Sequence, residues 1–76
     1  MRVQPDPALA ALLKRLREER EITQETLAFQ AGITASSLSR IERGLNSPGW
    51  TTLTRIADAL GVSLVDLARS IEQGRS

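Results

Sequence analysis

The 76-residue sequence predicts an all-α fold, a compact single domain of five helices without strands. Two observations carry that prediction. Apolar residues recur at i, i+3, i+4 and i+7 in successive short stretches, the spacing of one helix face. These stretches are punctuated by capping residues at their starts and by Gly32, Gly44 and Gly61 at their ends, where a left-handed residue closes a helix.

The first helix starts after Asp6-Pro7, an N-cap type followed by a proline at the first helical position, and turns Leu9, Leu12, Leu13 and Leu16 inward. It is expected to end near Arg20. Thr23 caps the second helix, which carries Leu27, Ala28 and Ala31 on its buried side and stops at Gly32. Phe29 is expected to pack beside a neighbouring helix, the alternative being an exposed side chain that contacts a partner. Ile33 is a buried-type residue in the turn, and Thr34 caps the third helix. There Leu38, Ile41, Glu42 and Leu45 share one face, opposite Ser36, Arg40 and Arg43. Gly44 closes it, and Leu45 to Gly49 is a loop by composition. The fourth helix, about Trp50 to Leu60, buries Leu53, Ile56, Ala57 and Leu60, with Trp50 expected in the core at its start. Ser63 and Asp66 form an S-x-x-D start for a fifth helix holding Leu64, Leu67 and Ile71. The packed part is expected to span about residues 6–72, with Met1 to Gln4 and Gln73 to Ser76 frayed.

Composition excludes several classes. With 41% hydrophobic and 25% charged residues the chain is too apolar for disorder. A domain of this size buries only about 60% of its unfolded surface, enough for one core and no separate effector domain. No cysteine and no histidine are present, so disulfides, thiol chemistry and a zinc site are not expected, nor is any cofactor. An enzyme is not expected either, for want of nucleophile–base pairs and of room for a cleft. The longest apolar run, Ala8 to Leu13, is too short for a membrane span or a secretory signal, so the chain is expected to stay in the compartment where it is made, and its lack of cysteine suits the cytoplasm. The net charge of +1 says little about partners, because nucleic-acid binding needs a local basic face more than a global excess.

Two short helices joined by a glycine-centred turn form a device that places a helix in the DNA major groove. The stretches LKRLREER at Leu13 to Arg20, ITQETLAFQAGIT at Ile22 to Thr34, LSRIERGLNSPG at Leu38 to Gly49 and LTRIADALGVSLVDL at Leu53 to Leu67 resemble the helix-turn-helix of the phage repressor and Cro (XRE-like) family of bacterial DNA-binding domains. Two residues depart from the family pattern. Thr26 stands where glutamate is frequent, which leaves the capping box of Thr23 incomplete, and Phe29 stands where a polar residue is commoner.

The resemblance implies a sequence-specific transcriptional regulator that binds double-stranded DNA, with the third helix in the major groove, and hence a cytoplasmic protein associated with the nucleoid. It places Thr34, Ala35, Ser36 and Arg40 at base-facing positions, Arg40 being the strongest reader because its fork can donate two hydrogen bonds to guanine. Phosphate contacts are expected from Gln24, where the amino end of the second helix attracts an anion, and from Ser37, Arg43, Asn46 and Ser47. Arg17 is expected to neutralise the inward-facing Glu42 as a structural ion pair rather than a DNA contact. A homodimer on a palindromic operator is expected, with Val62, Val65 and Ile71 in its interface. Two further readings stay open: an antitoxin or accessory subunit that binds a protein partner, and the controller of a restriction-modification operon.

Overall fold

A computed structural model describes residues 6–75 of the chain, all but the last of them with side chains. The elements run α1 Pro7–Glu19, α2 Gln24–Ala31, α3 Ala35–Glu42, α4 Trp50–Leu60 and α5 Leu64–Arg75, and no strand occurs among the described residues. Helix starts follow the local chemistry. Asp6 accepts the Ala8 N–H at 2.9 Å ahead of Pro7. Thr23 accepts from Thr26 N–H at 3.1 Å, and Thr34 from Ser37 N–H at 3.0 Å. Ser63 and Asp66 cap each other reciprocally, Asp66 N–H donating to Ser63 Oγ at 3.0 Å and Ser63 N–H to Asp66 Oδ2 at 3.4 Å. The bonds accepted by Asp6, Thr23, Thr34 and Ser63 each satisfy a first-turn N–H that has no partner within its helix. Gly49, the N-cap of α4, has no side chain with which to do this.

The first four helices end in one motif. At the end of α2 the Ile33 N–H returns to the Ala28 carbonyl and the Gly32 N–H to Phe29, and Gly44 with Leu45 and Gly61 with Val62 repeat the pattern after α3 and α4. All three glycines have φ between 73° and 76°, the left-handed conformation that this closure needs. At the end of α1 the same place is held by Glu21, with φ 54°. Ile22 N–H still reaches the Arg17 carbonyl and Glu21 N–H that of Glu18, so the motif forms despite a side chain that disfavours it.

The core gathers around Leu13, Leu27, Leu38 and Ile56, each fully buried. Burying such a side chain is worth roughly 1.5–3 kcal/mol. α2 packs most extensively, against both α4 and α3, while α1 lies against α5 and α3. α3 is therefore seated on two helices by its inner face, which leaves its outer face to solvent.

Four sequence expectations are corrected. Leu45 is 58% exposed because α3 stops at Glu42 and the left-handed Gly44 turns the chain away before residue 45. Trp50 is 73% exposed, since it is the first residue of α4 and projects from the helix end rather than from its buried side. Phe29 is 86% exposed: with Leu27, Ala28 and Ala31 turned inward, position 29 falls on the opposite side of α2. Gln73 to Arg75 continue α5 rather than fraying. Ser76 and the segment Met1 to Gln4 lie outside the described residues.

Candidate nucleic-acid interface

The turn Gly32–Thr34 sets α3 beside α2 and fixes which residues face outward. Leu38, Ile41 and Glu42 are buried, and Ser36, Ser37, Arg40 and Arg43 are exposed. Ser36, Arg40 and Arg43, at i, i+4 and i+7, thus form one polar stripe on the outer face. Among the described residues neither Arg40 nor Arg43 has a side-chain hydrogen bond or ion pair, so both forks are available to a ligand.

The remaining predicted contacts are placed as follows. Thr34 is exposed at the start of α3, its oxygen committed as acceptor to Ser37 N–H, which leaves its hydroxyl proton and methyl to a ligand. Ala35 is half-buried against the core, so only part of it faces outward. Asn46 and Ser47 are exposed in the loop that carries Arg43's end of α3 to α4. Val65 is exposed on α5, whereas Val62 and Ile71 are half-buried and pack against the core.

Behind the polar stripe sits a buried hub. Glu42 is 6% exposed, and Arg17 holds it with both prongs, Nε to Oε2 at 2.8 Å and Nη2 to Oε1 at 3.0 Å. Arg17 spends its third nitrogen on the Ile22 carbonyl at 2.8 Å. One side chain therefore ties α1, the α1–α2 turn and α3 together. The hydrogen bonds that Arg17 donates to Glu42 raise its pKa above the usual guanidinium value, against the opposing effect of burial. The hub has a third member that sequence spacing did not show: Gln24 Nε2 donates to Glu42 Oε1 at 3.0 Å. Gln24 is half-buried rather than free at the start of α2.

Arg20 is a second structural arginine missed by the sequence reading. Its Nε donates to the Leu60 carbonyl at 2.7 Å and its Nη1 to the Leu16 carbonyl at 3.0 Å, so it closes the carboxyl ends of α1 and α4 with a cation where the helix dipole favours one. Its only sequence signal is a basic residue one position past a helix end. No helix among the described residues is long and apolar enough to cross a membrane.

Two eight-residue helices, a left-handed glycine between them and a polar outer stripe on the second define a helix-turn-helix unit. Residues 8–70 match the profile of the helix-turn-helix domain family, and the chain belongs to that family. It is 41% identical over 59 residues to an uncharacterized HTH-type transcriptional regulator, y4dJ, of Sinorhizobium fredii, covering 78% of this chain and 77% of that protein. Five other curated relatives are longer, and the match spans between 27% and 50% of their length. Among solved structures it is similar to the clp gene regulator ClgR of Corynebacterium glutamicum, with a TM-score of 0.85 and 28% identity over 90% of this chain and 72% of that one. It is also similar to the restriction-modification controller protein C.AhdI of Aeromonas hydrophila, with a TM-score of 0.78 and 30% identity over 80% of this chain and 92% of that one.

Proposed function

We propose that the chain is a sequence-specific DNA-binding transcription regulator that lays α3 in the major groove and reads bases with Arg40, assisted by Thr34, Ala35 and Ser36. The observation that carries this reading is the stripe of Ser36, Arg40 and Arg43, exposed and unpartnered on a helix whose opposite face is fixed by Leu38, Ile41 and the Arg17–Glu42 pair. A guanidinium fork held on a rigid helix suits the two acceptors of a guanine edge. Arg43, Ser37, Asn46 and Ser47, all exposed, hold the flanking phosphates in this reading, and the amino end of α2 at Gln24 offers N–H groups and a positive dipole to another. Similarity to HTH-type regulators and to a gene regulator supports the reading.

One copy of α3 spans few base pairs. Two copies about a two-fold axis address half-sites about 34 Å apart, so the working unit is a homodimer on a palindrome, joined through the α4–α5 turn and α5 at Val62, Val65 and Ile71. Such a protein acts where the chromosome is, in the cytoplasm. The test is selection of bound sequences from random duplex DNA. An enriched inverted repeat is the expected outcome, and a pool that stays random after several rounds would remove the sequence-reading role.

A second reading, the controller of a restriction-modification operon, draws support from the likeness to C.AhdI over nearly the whole of that protein. A methyltransferase or endonuclease gene beside this one, with the selected repeat in its promoter, would decide for it.

A further inference from the structure

We infer that Glu42 is a positioning residue for the phosphate grip at the amino end of α2: by accepting one hydrogen of the Gln24 amide it fixes how that amide faces and leaves the second Nε2–H for a DNA phosphate. This rests on the DNA-binding reading above. Both oxygens of Glu42 already receive donors, Oε2 from Arg17 Nε and Oε1 from Arg17 Nη2 and Gln24 Nε2, so the carboxylate faces Gln24 purely as an acceptor. Turning the Gln24 amide over would set its carbonyl oxygen against a carboxylate oxygen at the distance now occupied by a hydrogen bond. The amide therefore has one permitted orientation, fixed by chemistry.

An amide nitrogen carries two hydrogens, and Glu42 takes one of them. The other belongs to a side chain at the first position of α2, next to first-turn N–H groups that no helical carbonyl satisfies and at the positive end of the dipole. A solvent-exposed glutamine loses rotamer freedom when it grips a phosphate; Gln24 is half-buried and has lost it on folding. Because Glu42 also belongs to α3, the same carboxylate that seats the reading helix orients the grip on the backbone. Base reading and phosphate grip share one buried anchor.

The test uses the intact protein with a random-sequence duplex of roughly 20 base pairs at low salt, since phosphate contacts do not depend on sequence. In the nitrogen-proton spectrum of the free protein, one Gln24 side-chain amide proton is expected to be slow to exchange and the other fast. Addition of duplex is expected to shift and protect the second. Gln24→Ala should weaken duplex binding about tenfold at every salt concentration, with no change of salt slope, because a neutral donor releases no counterion. In a Glu42→Ala background, at a temperature where its circular dichroism is native, Gln24→Ala should then cost less than about twofold. A full tenfold loss in both backgrounds would overturn the inference. So would Gln24 amide protons that ignore the duplex while α3 resonances move, a measurement on the parent protein that decides the matter even if Glu42→Ala does not fold. A parent that binds no duplex removes the DNA-binding reading itself, and the inference with it.

Discussion

Arg17 grips Glu42 in a two-pronged ion pair in which the glutamate side chain is 1% exposed and the arginine side chain 12%. The pair links α1 to α3 across 25 residues of sequence, and its energetic weight lies in what happens when one partner goes. A buried charge without its partner costs about 3–5 kcal/mol, a large part of the 5–15 kcal/mol that holds a typical domain together. Glu42→Ala and Arg17→Met are each expected to lower the melting temperature by more than about 10 °C in a chain this short. The double variant Arg17→Met/Glu42→Leu should melt higher than either single variant, because no unpaired charge remains. Single variants as stable as the parent would show that the pair is not the scaffold of α3.

The pH dependence of that pair has a definite sign. Arg17 has a raised folded-state pKa, so its contribution is fully present below the unfolded-state value and lost only as pH rises through the folded one, well above the neutral range. Melting followed from about pH 6 to 9 should therefore show no loss assignable to Arg17. A steep fall in the parent that is absent from Arg17→Met would contradict this.

Glu21 and Gly61 occupy the same place in the same closing motif, with φ 54° and 76°. Glu21→Gly relieves a left-handed side chain and is expected to raise stability by up to about 1 kcal/mol, the gain being trimmed by the extra freedom of glycine in the unfolded chain. Gly61→Ala should cost about 1–2 kcal/mol, for backbone reasons alone, because a Cβ there meets nothing within 4 Å. Urea denaturation of the two variants checks both; changes of opposite sign are expected, and a destabilised Glu21→Gly would mean that the Glu21 side chain does more than occupy the turn.

If Arg43 holds a backbone phosphate, as proposed, Arg43→Ala is expected to weaken binding to all duplexes alike and to flatten the slope of log K against log salt by about 0.9. Loss confined to one base position would move Arg43 to base reading.

Most helix boundaries were legible because they are written in adjacent residues: Asp6-Pro7, Thr23, Thr34 and Ser63 at the starts, and Gly32, Gly44 and Gly61 at the ends. The outward face of α3 followed from the same periodicity. Phe29 was readable too, since the wheel that turns Leu27, Ala28 and Ala31 inward places residue 29 about 150° away from their mean direction. Leu45 misled because the i+7 relation holds only while the helix lasts, and Trp50 because hydrophobicity says nothing of a side chain at a helix end. The bonds of Gln24 to Glu42 and of Arg20 to Leu60 span 18 and 40 residues, and no local pattern encodes them.

The most direct test of the account is Arg40→Ala, measured by selection from random duplexes and by affinity for the parent's preferred site. Arg40 is exposed and outside the buried hub, so the melting temperature should stay within about 2 °C of the parent. Discrimination is expected to fall by about 1–3 kcal/mol at one base pair in each half-site, the two positions related by the operator's two-fold axis, while weak non-specific binding persists. An Arg40→Ala protein that keeps the parent's preferred sequence and its affinity would contradict the assignment of α3 as the reading helix.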